Sequence, residues 1–450
     1  MDSQLKQNKA VSDNFLNSLK YNHGFNNYHQ TEAELNVLPN NQNSPQKVSH
    51  GLYAEQLSGS AFTTSREHTK LTWCYRIQPS VVHKPFNRYQ HNYWTSPPFN
   101  QVIQSPNQYR WSPESITTNN TIDFISGIKT IAGFGDPIAL HGATASTFFA
   151  NTSMQDTYFS NSDAEMLIIL QAGSAIFRTE LGILAAHCNT DHSDIIVIPR
   201  GVRFTVEIKS DYIRGYLCEN YGATLQLPEL GVIGANGLAN PRHFLYPTAA
   251  YQTDHNQHIT WLCKYQGAFW QTELNYSPCN VVAWHGNYAP YKYNLNLFNV
   301  INTVSFDHPD PSIFTVLTSP SNQAGTANLD FVIFPPRWMV AENSFRPPYF
   351  HKNIMSEFMG LIRGEYDAKK DGFLPGGISI HNRMSAHGPD YNTVMAAEEK
   401  NLQPEKYNDT LAFMLESNMA WDITKYAAET NLLQHHYYEC WQNIPNRFNK

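Results

Sequence analysis

Within RPPYFHKNIMSEFMGLIRG, residues 346–364, a histidine at 351, a glutamate at 357 and a glycine at 364 stand at a spacing suited to a metal centre. Two further histidines, His381 and His387, follow closely. Two imidazoles and one carboxylate occupy one face of an ion and leave three positions open, the donor set by which non-heme Fe(II) oxygenases hold a substrate and O2 together. The spacing also constrains the backbone. In one straight strand His351 and Glu357 would share a side but lie roughly 20 Å apart at about 3.3 Å per residue, too far to share an ion. In one helix their side chains would diverge. The chain is therefore expected to bend between Asn353 and Ser356, with His351 leaving one strand, Glu357 entering the next, and both side chains directed inward.

Such a bend needs a β frame, and the rest of the chain supplies one. From Gly51 onward short apolar runs such as LTWCYRI, AEMLIIL, SAIFRTEL and DIIVIP are broken by Pro, Gly and Asn, with few segments of helical period. A mostly β protein is expected. The His351 to Gly364 segment, followed by the turn and histidine of GFLPGGISIH (372–381), resembles the two-part metal-binding pattern of cupins, whose hairpins make this bend inside a jelly-roll or β-sandwich barrel. A weaker copy surrounds Gly173 and IIVIPRGVRF (195–204), so two cupin-like barrels are expected. Superposing the copies puts Ser160 at the place of His351, Met166 at that of Glu357 and Phe204 near that of the later histidine. Glu165 could enter on a one-residue slip, but no histidine would join it. The first barrel is expected to lack metal ligands and the second to hold the iron.

Length and composition agree with that plan. A chain of 450 residues exceeds the size at which one core stops growing. Three regions are expected: an irregular arm over 1–48, rich in Asn, Gln, His and Ser, a β domain over 49–295, and a domain over 296–450 that carries the active site. Residues 392–406 are expected to be helical up to Pro404, and 410–424 to form a strand pair, or one bent strand, that closes the second barrel. Charged residues make up only 15 % and aromatic ones 13 %, which suits much buried aromatic surface. The net charge of −7 lies in no long run of one sign, so neither nucleic acid nor an anionic membrane is an expected partner. Six scattered cysteines without a C-x-x-C pair argue for reduced thiols. The start MDSQLKQNKAVSDNF lacks an apolar core of signal-peptide length and no apolar run would cross a bilayer, so a cytoplasmic protein is expected.

The bland readings of these residues are specific too. His351 and Glu357 could be a hydrogen-bonded core pair; the histidines after the turn count against that. Spacing alone favours His381 as third ligand, with His387 in AHGPD as competitor, and does not decide between them. The one that does not ligate would stand beside the ligands or on the substrate. His308 in SFDHPDPSIF precedes a proline that keeps it extended, which suits a loop at a cleft. It is either a surface loop residue or a general base, since imidazole titrates near neutrality. Tyr349 and Tyr366 flank the motif and would either pack or bind a polar aromatic substrate. His187 and His192, in LAAHCNTDHSD, are expected to be exposed loop histidines.

From about residue 21 to the C-terminus the chain resembles the homogentisate 1,2-dioxygenases. The resemblance rests on long strings: LYAEQLSGSAFT (52–63), RWSP (110–113), NTSMQD (151–156), GVIGANGLANPRHFLYP (231–247), WHGNYAPYKYNL (284–295), SFDHPDPSIFTVLT (305–318), FVIFPPRW (331–338) and residues 346–364. It implies iron ligation by His351, Glu357 and His387, with His381 as a neighbour, His308 as proton acceptor, and Tyr366 and His387 on the substrate. It also implies Fe(II)-dependent opening of homogentisate by O2 to maleylacetoacetate, in tyrosine and phenylalanine breakdown, by a trimer or dimer of trimers. Two other readings share the residues: a cupin ring-cleaving enzyme of the gentisate type, and a metal-free bicupin scaffold or storage protein.

Overall fold

The computed structural model describes residues 18–116, 120–229, 238–253, 258–307, 310–366, 368–369 and 371–448. Strands dominate, and their burial shows why the apolar runs take this form. DIIVI, the strand Asp194–Ile198, is buried at every position, as in a strand covered on both faces. The strand Glu165–Thr179 is fifteen residues long, too long to stay in one plane of a twisted sandwich. Its register shifts between Leu170 and Ala172. There Gly173 takes φ +89°, where a Cβ would lie 2.1 Å from the carbonyl oxygen of Tyr212. The first half pairs with Asp194–Ile198 and Ile213–Asn220, the second with Gly182–Cys188 and Phe204–Ile208. One bent strand thus serves both faces of the N-terminal β unit.

The C-terminal unit is a six-stranded sheet in the order Thr315–Pro320, Ala327–Phe334, Thr410–Ser417, Ser356–Gly364, Ile378–His381, Tyr109–Trp111. Its Gly364 repeats the device of Gly173: φ is +70°, and a Cβ would lie 1.7 Å from the Asp409 carbonyl oxygen. The weak sequence repeat around these two glycines therefore marks a shared backbone requirement. The protein is mostly β, built on two β units, and the units exchange strands. Tyr109–Trp111 closes the C-terminal sheet, while Asp422–Ile423 pairs with Ile128–Asp136 in the large N-terminal sheet. Trp111 Nε1 donates to the Ala427 carbonyl at 2.8 Å, and one apolar core runs through both units. The expected boundary at 295 and 296 does not separate two self-contained sheets.

Three expectations need correction. Residues expected to form an irregular arm include two strands: Tyr21–His23 pairs with Leu245–Pro247, and His29–Glu32 with Val281–Gly286 in a four-stranded sheet. Pairing across more than two hundred residues holds this polar stretch where local propensity does not. The helix expected up to Pro404 covers only Tyr391–Glu399, capped by the Asp390 carboxylate, which accepts from the Thr393 amide at 2.8 Å. It buries only Val394, so no apolar face extends it. The stretch 410–424 is two strands in different sheets, so only Thr410–Ser417 closes the C-terminal unit. Among the described residues no helix is long and apolar enough to cross a membrane.

Candidate metal centre

Glu357 stands second in the strand Ser356–Gly364, the position at which the chain has just turned into the sheet. His351 lies before that turn, outside the strand, in an isolated antiparallel bridge with His387: each amide donates to the other's carbonyl, at 2.9 and 3.1 Å. The bend required between Asn353 and Ser356 is present, and a pair of backbone hydrogen bonds draws together two histidines thirty-six positions apart. The ligand atoms of His351, Glu357 and His387 all lie within 4.8 Å of one another. Among the described residues this is the one group of three or more such side chains placed to hold an ion.

Each imidazole is oriented by its far nitrogen. Nδ1 of His351 donates to the Tyr349 carbonyl at 2.8 Å, and Nδ1 of His387 donates to the Ser385 carbonyl at 2.8 Å. Both Nε2 lone pairs are thereby turned toward Glu357, as in ligating histidines. His387 Nε2 sits 3.0 Å from Glu357 Oε2, and His351 Nε2 3.5 Å from Oε1. Two lone-pair atoms at such a distance need a second proton on an imidazole or a cation shared between them, so these side chains fit a divalent ion. Asn353 Nδ2 donates to Oε1 at 2.9 Å and steadies the carboxylate. Burial alone would raise the Glu357 carboxyl, but the imidazoles of His351, His381 and His387 beside it hold it well below the usual carboxylate range. The same contact, in which the Glu357 carboxylate accepts, raises His351 against a smaller burial penalty.

His381 is not among the residues that line the cavity in front of the ligands. It faces Glu357 across the strands, 1 % exposed, with its ring stacked on His387 at 4.2 Å and 9°. Its Nδ1 is 3.8 Å from Glu357 Oε2, and its Nε2 is taken by Tyr437 and Lys369. Burial, then the charges of Lys369 and His387, push its imidazole well below the ordinary value and keep it neutral. It stands behind the ligands, shut off from the cavity.

In front of them opens a cavity of about 450 Å³, lined by Tyr349, Tyr366, Glu416, Asp310 and Met359 together with His351 and Glu357. Tyr366 is 7 % exposed and packed edge-on against Phe334, whereas Tyr349 is half-exposed at the mouth, 5.6 Å from the His351 ring. His308 lies outside the described residues; Asp310, two positions on, lines the cavity. Glu416 and Asp330 escaped the sequence reading, although strand register places them. Asp330 is opposite Glu416, and Glu416 opposite Glu357, so three carboxyls share one face of adjacent strands. Burial, then Glu357 and Asp330, pushes Glu416 up to about 8, and burial pushes Asp330 up to about 6. A somewhat larger cleft, about 520 Å³ beside Trp94 and Phe269, is remote from this chemistry. Its one histidine, His91, is spent on the Ile125 carbonyl and on the amides of Tyr93 and Trp94.

The positions equivalent to the ligands in the N-terminal unit are filled differently. Ser160 Oγ accepts from Trp261 Nε1 at 2.9 Å, and Met166 and Phe204 are buried in the apolar core. Glu165 accepts from the Leu225 amide at 2.8 Å, with no histidine beside it among its hydrogen-bond partners. His187 and His192 lie on the hairpin before Asp194, part-buried and exposed respectively, 5.9 Å apart between ring centres.

Known proteins match this chain over both units. The family model described as homogentisate 1,2-dioxygenase N-terminal covers residues 20–295, and that described as homogentisate 1,2-dioxygenase C-terminal covers 296–448. A homogentisate 1,2-dioxygenase of Legionella pneumophila, strain Philadelphia 1, is 53 % identical over 430 residues, 96 % of this chain and 100 % of that protein. That of strain Lens is 52 % identical over the same share of each. Among solved structures, protein Ylba from E. coli has 10 % identity and a TM-score of 0.33, over 72 % of this chain and 97 % of that one. A cupin 2 conserved barrel domain protein from Leptotrichia buccalis has 8 % identity and a TM-score of 0.28, over 66 % and 91 %. Both overlaps are too loose to bear on the site. With both halves matched and half of all positions shared along a full-length relative, this chain belongs to the homogentisate 1,2-dioxygenase family.

Proposed function

We propose that this protein opens the ring of homogentisate with O2 to give maleylacetoacetate, using Fe(II) held by His351, Glu357 and His387. The observation that carries the reading is the convergence of two pre-oriented imidazoles and one carboxylate, of which His351 and Glu357 line a cavity of about 450 Å³, room for one small aromatic acid. Bound Fe(II) would supply a Lewis-acidic, redox-active centre with open positions for the ring hydroxyl, the carboxylate arm and O2. Both oxygen atoms enter the product and the ring supplies all the electrons, so no outside reductant is consumed.

The remaining work falls to the chain. Tyr366, on the buried wall, donates its hydroxyl to the carboxylate arm, and its packing against Phe334 and Phe373 keeps it from swinging. Tyr349 closes the mouth over the ring. His387 both ligates and borders the substrate. Glu416, protonated near neutral pH, adds no second anion beside an anionic substrate. His308 takes the phenolic proton, which makes the ring a better electron donor; the string SFDHPDPSIF and the placement of Asp310 on the cavity wall support this role. His308→Ala should then lose turnover far more than iron content.

The setting this reading implies is cytoplasmic breakdown of tyrosine and phenylalanine by a homo-oligomer, a trimer or dimer of trimers. Exposed apolar side chains beside the cavity, Phe350, Ile354 and Met384 at 51, 62 and 58 %, support burial against another copy. The test is anaerobic Fe(II) loading followed by O2 uptake with homogentisate, reading the ring-opened diketone by absorbance. Uptake that Glu357→Ala abolishes supports the proposal. Turnover of gentisate alone moves the substrate, and absence of both iron and turnover favours a scaffold.

A further inference from the structure

On the side of the ligands away from the cavity lies a buried cluster that the proposed chemistry leaves unused. Lys369, His381 and Tyr437 are 4, 1 and 2 % exposed. They come from three places: the segment after the Glu357 strand, the end of the strand Ile378–His381, and the 3-10 turn Tyr437–Trp441 near the C-terminus. Lys369 Nζ donates to Tyr437 Oη and lies 3.2 Å from His381 Nε2, while Tyr437 Oη lies 2.9 Å from the same nitrogen. A fourth element contributes Arg110, whose guanidinium sits 4.3 Å over the Tyr437 ring and donates to the Asp371 carbonyl at 3.1 Å.

A buried ammonium is costly unless its charge is answered. The hydrogen-bond partners of Lys369 are a phenol and an imidazole, so its charge is answered at longer range by groups that include Asp390 and the Glu357 carboxylate on the far side of His381. The path from Lys369 to Glu357 is directional. An ammonium only donates, so the His381 Nε2 that faces it is an acceptor, and the ring carries its proton on Nδ1. That Nδ1 has no hydrogen-bond partner of its own and points at Glu357 Oε2, 3.8 Å away. Asn353 holds the other oxygen. The flat stack of His381 on His387 fixes the plane of that imidazole as well.

Resting on the reading of His351, Glu357 and His387 as a metal site, we infer that Lys369 and Tyr437 are positioning residues that act through His381. They hold it as the Nδ1–H tautomer aimed at Glu357, and so set the orientation of that carboxylate and the affinity of the site for its ion. They do this without touching substrate, since none of the three lines the cavity. A merely structural cluster would tolerate apolar replacement; this one would keep its fold and lose metal.

The test strips the full-length protein with a chelator and titrates it with Co(II), a redox-stable probe whose visible bands report its ligand field. Lys369→Met and Tyr437→Phe should each bind Co(II) about 10- to 100-fold more weakly and shift the bands, while the KM for homogentisate at saturating Fe(II) stays within about twofold. Excess Fe(II) should restore most of the turnover, and the metal-free variants should melt where the parent does. Should Lys369→Met fail to fold, Tyr437→Phe, which removes one oxygen, carries the test alone. Unchanged Co(II) affinity overturns the inference, as does a raised KM with affinity intact, which would put Lys369 on the substrate. A parent that takes up no Co(II), or a Glu357→Ala variant that takes up as much, overturns the metal-site reading instead.

Discussion

The two β units bury comparable carboxylates and treat them in opposite ways. In the N-terminal unit Glu219 is fully buried with Lys264 against it at 2.6 Å, and it also accepts from Trp94, Thr144 and Asn161. Glu180 likewise meets both Arg76 and Arg203. Both oxygens of Glu219 and of Glu180 are spent, and both charges are answered nearby. In the C-terminal unit Glu357 has no lysine or arginine in a salt bridge with it among the described residues; it has three imidazoles, two of them committed at Nδ1 to backbone carbonyls. A saturated carboxylate is a fastener, whereas one faced by the Nε2 lone pairs of two oriented imidazoles is a place for a cation.

The sharpest way to break this comparison is to remove one carboxylate oxygen donor from the C-terminal site. Glu357→Ala should abolish Fe(II) retention, measured by metal analysis, and bring O2 uptake to background, while the metal-free protein stays folded by circular dichroism; iron retained at the parent level would undo the distinction. The matching change in the other unit is Lys264→Met, which strands a buried carboxylate and should lower stability by about 3–5 kcal/mol in denaturant titration. Iron bound per folded chain should not change, and a variant as stable as the parent would mean that Glu219 is not held as an ion.

Within the C-terminal unit, Tyr366→Phe removes one proposed hydrogen bond to a charged group. Its kcat/KM for homogentisate should fall roughly 10-fold, mostly through KM, with iron content intact. A drop confined to kcat would assign Tyr366 to the chemical step.

The smallest effect concerns Glu416. Its folded-state value is raised to about 8, above the ordinary glutamate value of about 4.3. Between these limits the unfolded chain gives up its proton while the folded chain keeps it, so stability is full below the lower limit and is lost as pH rises to the upper one. Glu416→Gln should therefore melt a few degrees above the metal-free parent at pH 8.5, and the gap should close below about pH 4.5. An equal gap at both pH values would place Glu416 in water.

Much of this was legible in residue types and spacing. The six-position offset from His351 to Glu357 demanded a bend, and the backbone bends there. The likeness of the segments around Gly173 and Gly364 reflects a positive φ that both positions need. The strings SFDHPDPSIF and NIMSEF carried the family resemblance before any fold was known. Other features left no local signal. Nothing in HHYYECW announces that Tyr437 lies 2.9 Å from His381, and nothing in LDFVIF announces that Asp330 stands in line with Glu416.

The sequence alone determined which groups were available: a donor set suited to Fe(II), a β frame, two related units, and a first unit with serine, methionine and phenylalanine where ligands would stand. Spacing favoured His381 without deciding against His387, because both follow the same turn and both can ligate. Only the tertiary structure separates them. The backbone bridge to His351 brings His387 beside it with Nε2 3.0 Å from Glu357 Oε2, while strand pairing sends His381 to the buried face, where Lys369 and Tyr437 occupy its other nitrogen. Ligation is decided by which lone pair faces the ion, and that direction is set by hydrogen bonds from residues far apart in the chain.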